Sequence, residues 1–167
     1  AGKADFTYMD GKYAPAREDG EKATVVYLEE GESIPDAVSK GAETIYLTDG
    51  EFKMSSKVEG DLTIIGDEDT VIVSTSENTA EDAGLYVTTG DLVVENVTFT
   101  GIGNGIVTAP DFTGTVTIRN CTFDGVNNGI YLNNCAGGLI SGCVFKDVKH
   151  AAIGIDTLTG TLTLSNK

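Results

Sequence analysis

Residues 116–132 read VTIRNCTFDGVNNGIYL, and the chain repeats this phrase on both sides. Upstream, residues 92–108 read LVVENVTFTGIGNGIVT, and downstream, residues 138–155 read GLISGCVFKDVKHAAIGI. The spacing from Asn96 to Asn120 is 24 residues. A repeat of this length predicts a solenoid, because each unit is one supersecondary element that buries its apolar face only when copies are stacked.

The apolar residues of each unit recur at every second position, which is the period of a β-strand and not of a helix. Aligning the units gives columns of similar side chains. The columns are Leu92, Val116 and Leu162; Val94, Ile118, Ile140 and Leu164; Phe99, Phe123 and Phe145; and Ile106, Ile130 and Ile153. We therefore predict coils of short strands broken at Asn or Gly, with each strand parallel to its copy about 4.8 Å away.

One corner column contains Asn96, Asn120, Gly142 and Asn166. An asparagine amide carries both donors and an acceptor, so it can bond to the asparagine of the next coil. We therefore expect an asparagine ladder at this corner.

The three cysteines are too few for a full disulfide framework. Cys121 and Cys143 share an inward column, where parallel Cβ vectors keep the Cβ atoms too far apart for a disulfide. We predict a reduced, buried stack at these two positions. Cys135 lies in an Asn-Asn-Cys corner, and we expect it to be more exposed.

The phrase NCTFDGVNNGIYL at residues 120–132, with its variants NVTF at 96–99 and GCVF at 142–145, resembles the right-handed parallel β-helix of the pectin-lyase-like superfamily. The resemblance extends over roughly Ile34 to Lys167. It implies an all-β solenoid, of the kind found in bacterial extracellular β-helix repeat proteins. It also implies relatives that include polysaccharide lyases and glycoside hydrolases, so we expect an extracellular or cell-surface location.

A single β-helix domain over residues 1–167 is the expected organisation. Residues 1–33 are predicted to form an N-terminal arm and the first strand, with Phe6, Tyr8 and Tyr13 able to dock on the first coil. Residues 34–41 are predicted to form a short capping helix, because Ser33 is a favourable N-cap and Pro35 and Asp36 suit a first turn. The coils follow at residues 42–167. Since the phrase begins again at Thr161 and stops, we expect a fragment of a longer β-helix, or another subunit over the end.

The chain is strongly acidic, with a net charge of −15, and residues 1–90 carry 20 of its 26 acids. Nucleic-acid binding needs basic patches, so this charge argues against a nucleic-acid partner. It also disfavours polyanionic polysaccharides unless Ca²⁺ bridges the charges. No apolar run is long enough for a membrane span.

The longest insertion, at residues 74–84, is polar and predicted to be a surface loop. Its Glu81 and Asp82 can meet Asp67 and Asp69 of the same coil and bind Ca²⁺. No EF-hand spacing supports this site, and the alternative is a solvated acidic loop.

Catalytic residues are not assigned, because no paired carboxylates of the glycoside hydrolase kind stand together in the repeat. Arg119 is predicted to lie over Glu95 on an outer face, and His150 is predicted to replace Asn128 at a corner. The candidate ligand-binding residues are Glu95, Arg119, Asp124, Asp147, His150 and Asp156.

We expect a non-catalytic scaffold or adhesion module that contacts a polysaccharide or other glycan, with no cofactor apart from the possible Ca²⁺. The alternative is a polysaccharide lyase or glycoside hydrolase, or a piece of one, acting on plant or host polysaccharide. A further alternative is self-association through the uncapped C-terminal coil.

Overall fold

The computed structural model describes residues 25–54 and 57–165. The predicted docking of Phe6, Tyr8 and Tyr13, and the place of Asn166 in its column, lie outside these residues.

Seventeen strands and one helix make up the described chain. In chain order they are β1 (Val25–Leu28), α1 (Ile34–Ser39), β2 (Thr44–Leu47), β3 (Gly50–Met54), β4 (Lys57–Val58), β5 (Leu62–Ile65), β6 (Thr70–Ser74), β7 (Ala83–Val87), β8 (Leu92–Glu95), β9 (Thr98–Gly101), β10 (Asn104–Thr108), β11 (Thr115–Arg119), β12 (Thr122–Asp124), β13 (Ile130–Leu132), β14 (Cys135–Ser141), β15 (Val144–Lys146), β16 (Ile153–Ile155) and β17 (Leu158–Ser165).

The strands form three parallel sheets, and from β2 onward successive strands of the chain pass from one sheet to the next. Sheet A has the order β1-β2-β5-β8-β11-β14-β17, sheet B has β3-β6-β9-β12-β15, and sheet C has β4-β7-β10-β13-β16. The chain is therefore an all-β parallel solenoid, as the repeat predicts. Each complete coil contains three strands. The sequence had indicated two strands in each coil, and the apolar column of Ile106, Ile130 and Ile153 that follows them forms the third strand.

The aligned columns are confirmed as in-register rows. Phe99 pairs with Phe123 and Phe123 with Phe145, and their rings stack with centroids 5.0 Å apart. Ile106 pairs with Ile130 in the same way in sheet C. The inward side chains of all three sheets form one buried cluster, which gives the solenoid a continuous core.

Helix α1 begins where the sequence predicts, with the Ser33 hydroxyl accepting a hydrogen bond from the Asp36 N–H at 3.1 Å. It ends at Ser39, and Gly41 follows with a φ of 101°. Ile34 and Ala37 are buried in the main core. Within the described residues, no helix reaches the length and apolarity that a membrane crossing requires.

The predicted ladder at the Asn96 corner is wrong. Asn96 and Asn120 adopt left-handed backbone, with φ of 61° and 55°, and both side chains are exposed. Their backbone N–H groups bond to the next coil, at the carbonyls of Arg119 and Ser141. Because the peptide groups already satisfy this corner, the amides turn outward, and within the described residues neither makes a hydrogen bond.

All three cysteines are free thiols. Cys121 is buried and Cys143, in the last complete coil, is half-buried, so the predicted reduced stack forms with one end partly open. Cys135 is fully buried at the start of β14, which corrects the expectation that its corner exposes it. The strand begins at Cys135 and turns its side chain into the core.

The predicted surface loop is shorter than residues 74–84. Ser74 ends β6 and is buried, and Ala83 begins β7 and is buried. The loop proper therefore consists of residues 75–82, and it connects sheet B to sheet C.

Candidate functional site

The outer face of sheet C carries an apolar row. Lys57, Tyr86, Val107, Tyr131 and Gly154 pair in register across five strands. Tyr86 and Val107 are buried although they point away from the core, and Tyr131 is half-buried beside them. A side chain at Gly154 would come within 2.6 Å of the Tyr131 ring, so this glycine makes room for the ring. The row forms the floor of two neighbouring grooves.

The loop at residues 75–82 forms one wall above this floor, and Asp82 organises it. The Asp82 carboxylate accepts hydrogen bonds from the Ser76 hydroxyl at 2.8 Å and from the N–H groups of Asn78 and Thr79 at 2.8 and 3.0 Å. These hydrogen bonds lower the pKa of Asp82, and the bond from the Ser76 hydroxyl has the largest effect. The loop is thus held in one shape by its own carboxylate.

The same loop is attached to the next coil. The Asn104 N–H donates to the Asp82 carbonyl at 2.9 Å, and the Asn104 amide donates to the Ala80 carbonyl at 3.4 Å. Gly103 allows the close approach, since a Cβ there would collide with the carbonyl oxygens of Ser76 and Asp82. The wall is therefore fixed to the coil that supplies the floor.

An asparagine ladder does occur, but at this corner. Asn104 Oδ1 accepts from both the N–H and the side-chain amide of Asn128, each at 3.0 Å. Asn128 Oδ1 accepts from the Ala151 N–H at 3.1 Å. Three successive coils are therefore connected along the edge of sheet C.

The loop groove is a cavity of about 450 Å³ between the loop and this ladder. It is lined by residues 77–80, Asn104, Val107, Asn127, Asn128 and Tyr131. Within the described residues, the Glu77 carboxylate, the Asn127 amide and the Tyr131 hydroxyl make no hydrogen bond to another group. The groove therefore combines an aromatic surface with donors and acceptors that are free to meet a ligand.

The helix groove is a second cavity, of about 850 Å³, at the other end of the apolar row. It is lined by residues 57–59, Tyr86, Thr88, Thr89, residues 109–111 and three residues of α1. Lys57 Nζ lies 3.7 Å from Glu81 Oε1. Burial, followed by the charges of Glu81 and Asp111, raises the pKa of Tyr86, so its phenol stays protonated at neutral pH.

The four residues proposed for Ca²⁺ are not brought together. Asp67 and Asp69 lie in the turn from sheet A to sheet B, whereas Glu81 and Asp82 lie in the loop from sheet B to sheet C. Asp82 is occupied by its own loop. Across residues 25–54 and 57–165, no group of three or more His, Cys, Asp or Glu side chains is placed to hold a metal ion.

The predicted pair of Arg119 over Glu95 is present on the outer face of sheet A. Arg119 Nη1 donates to Glu95 Oε2 at 2.7 Å, and the Arg119 side chain is 44% exposed. An ion pair this exposed contributes little, about 0–1 kcal/mol. The pair lies on a different sheet from the two grooves.

The other candidate residues lie at separate corners. Asp124 ends β12 and is half-buried; Asp147 is an exposed corner residue with a φ of 52° that follows β15; and Asp156 follows β16. His150 lies over Asn127, because its N–H donates to the Asn127 carbonyl at 2.8 Å. Ala151, not His150, occupies the position of Asn128, which corrects the alignment by one residue. The six candidates do not form one site.

Sequence reasoning missed Val107, Tyr131 and Asn127. Val107 and Tyr131 directly follow the aligned core residues Ile106 and Ile130. In a strand, the residue after an inward residue points outward. An apolar residue at this outward position in two successive units indicates that the outer face of the sheet is partly covered.

The comparisons with known proteins agree with this architecture. The model of one protein family, described as right handed beta helix region, matches residues 51–167. No curated protein and no solved structure matches the chain at a significant level. The matched section is more than half of the sequence and runs from β3 to the last strand. The chain therefore belongs to the right-handed β-helix family, consistent with the pectin-lyase-like superfamily.

Proposed function

We propose that this chain is a non-catalytic β-helix module of an extracellular or cell-surface protein, and that it binds a glycan in the loop groove. The right-handed β-helix fold suggests a scaffold or a carbohydrate-related module. Fold alone does not determine function, so the proposal depends on the groove.

The observation that carries the proposal is the placement of Tyr131 beside the free groups of Asn127 and Glu77. A sugar presents C–H faces, which pack on an aromatic ring, and hydroxyls, which need donors and acceptors. The groove offers both kinds of surface. Its wall is held by the Asp82 bonds and its floor by the Asn104 ladder, so little order has to be gained on binding.

The acidic candidates of the sequence analysis lie away from the loop groove. Asp124 lies in sheet B, and Asp147 and Asp156 lie at two other corners. None of the three lines the loop groove. Glu77 is the only carboxylate among the described residues that line it, whereas the glycosidase mechanism uses two that flank the bond.

A glycan array, probed with the full chain with and without Ca²⁺, tests the proposal. We expect saturable binding to one glycan class. Tyr131→Ala should weaken that binding at least about tenfold, since a buried aromatic anchor dominates such contacts. Tyr46→Ala is the matched control, because Tyr46 is an exposed tyrosine on the outer face of sheet A, 5.1 Å from the ring of Tyr27.

Asn127→Ala provides a second variant, because the Asn127 side chain makes no hydrogen bond to any other residue that the structure describes. It should weaken glycan binding without changing the unfolding midpoint. Loss of binding in Arg119→Ala but not in these variants would place the site on sheet A. Shortening of the bound glycan by the chain alone would favour the lyase or hydrolase alternative.

Self-association is a second candidate, and the last complete coil and β17 support it. Val144 is 49%, Ile155 46% and Leu164 58% exposed, and β15, β16 and β17 are the edges of their sheets among the described residues. Such edges pair readily with another chain. A mass that rises with concentration in light scattering, and falls to the monomer in Leu164→Lys, is the expected result.

A further inference from the structure

Acidic side chains line both grooves of sheet C. Glu77 lines the loop groove, and Glu59 and Asp111 line the helix groove. Lys57 is the only cationic side chain among the described residues that line either groove, and it is already paired with Glu81. Among the described residues that line the grooves, no unpaired positive charge therefore faces a ligand.

The buried phenol of Tyr86, which lines the helix groove, is affected by acidic side chains as well. The charges of Glu81 and Asp111 add to burial in raising the pKa of Tyr86. In the coil that follows Asn127, Lys149 Nζ donates to the Gly125 carbonyl at 2.8 Å. Arg119 is paired with Glu95 on another sheet.

A carboxylated sugar would lose water on entering such a site without gaining a cationic partner. Recognition of carboxylates in proteins relies on Arg or Lys, whose charged hydrogen bonds repay the lost hydration. A neutral sugar has no such penalty, and its hydroxyls can donate to the free Glu77 carboxylate. Bridging by a cation held in the site is also unsupported, since the described residues offer no cluster of three metal-ligating side chains.

We infer that the sheet C grooves select neutral glycans and discriminate against those that carry uronates. The inference rests on the proposed glycan binding and specifies its substrate class. The residues that set the selection are Glu59, Glu77 and Asp111, while the charges of Lys57 and Glu81 offset each other.

Matched oligosaccharides test the selection directly. The probes are β-1,4-linked hexaoses of glucose, mannose and galactose, each used before and after oxidation of its C6 alcohols to carboxylates. Calorimetric titration of the full chain should show at least about tenfold weaker binding of the oxidised form at 20 mM NaCl. The difference should shrink to about threefold or less at 500 mM NaCl, because salt screens charges that lie near solvent.

Removal of charge from the helix groove should relax the selection. The double variant Glu59→Gln/Asp111→Asn should bind the oxidised hexaose about threefold or more tightly than the parent chain does, and the neutral form within about twofold. Glu51→Gln/Glu68→Gln is the matched control. It removes the same charge from exposed residues on sheet B and at the turn before it, and should change neither affinity.

The outcomes separate the two proposals. Equal or tighter binding of the oxidised hexaose, with or without 2 mM CaCl₂, would overturn the selection and leave glycan binding intact. Failure of every hexaose and of the array glycans to bind would overturn the proposed function, and the selection with it.

Discussion

Asn104 Oδ1 accepts two hydrogen bonds from Asn128, one from the backbone N–H and one from the side-chain amide, both at 3.0 Å. The two residues are 24 positions apart in sequence and occupy the same position in successive coils. This pair joins the wall of the loop groove to its floor, since the Asn104 amide also reaches the Ala80 carbonyl.

Asn104→Ala should therefore destabilise the fold. The side chain is almost fully buried, and its loss leaves the Asn128 N–H without an acceptor. An unsatisfied buried donor costs about 1–3 kcal/mol. Urea unfolding measures the change, with Asn127→Ala as the control, expected within about 0.5 kcal/mol of the parent chain. Equal losses in both variants would contradict a structural role for the ladder.

The phenylalanine stack should show a graded response to truncation. Phe123 is fully buried between Phe99 and Phe145, so Phe123→Ala should cost about 3–5 kcal/mol. Phe145 is half-buried at the last complete coil, and Phe145→Ala should cost about half as much. Denaturant midpoints of the two variants check this order, and a larger loss at Phe145 would contradict it.

The fold was largely predictable because the solenoid repeats its inward residues in fixed columns. Once Phe99 and Phe123 are aligned, the parallel register of the whole unit follows, including Arg119 over Glu95. β3 and β4 were not predicted, because the first coil carries no copy of the phrase. The alternation in Gly50–Met54, with Phe52 and Met54 buried, was the only signal there.

The grooves were not predictable in the same way. Glu77, Asn104 and Tyr131 come from three successive coils. An alignment of columns does not indicate how closely the loop at residues 75–82 approaches the next coil. Gly103 decides this approach, and in a chain with 21 glycines its sequence context does not distinguish it from a glycine at a corner. The predicted asparagine ladder at the Asn96 corner was wrong for a related reason. The left-handed backbone at Asn96 directs its side-chain amide outward, which a column alignment does not show.

The left-handed corner gives a third prediction. Asn120 has a φ of 55°, and Gly142 occupies the same column with a φ of 66°. Asn120→Gly should change the free energy of unfolding little, whereas Asn120→Ala should cost about 1 kcal/mol and Asn120→Val more, because left-handed backbone crowds a Cβ. Thermal unfolding checks the order Gly, Ala, Val; an Ala variant as stable as Gly would contradict it.

The last prediction concerns the two stacked thiols. The pKa of Cys143 is lowered to about 7, mainly by a hydrogen bond from Cys121, whereas burial of Cys143 raises it. The same bond and burial raise the pKa of Cys121. Thiolates are the reactive form, so Cys143 should be alkylated by iodoacetamide in the native protein before Cys121 and Cys135, at a rate that rises with pH to half its maximum near pH 7.

Peptide mass spectrometry after timed labelling at pH 5.5–9.5 measures this rate at each cysteine. Cys121→Ala tests the cause, because it removes the donor that stabilises the Cys143 thiolate. The midpoint should then move upward, toward the value of about 8.5 of an ordinary thiol. Cys135→Ala is the matched control, since Cys135 donates instead to the Gly137 carbonyl, and it should leave the midpoint unchanged. First labelling at Cys121, or a midpoint that does not change in Cys121→Ala, would show that the stack does not set the reactivity of Cys143.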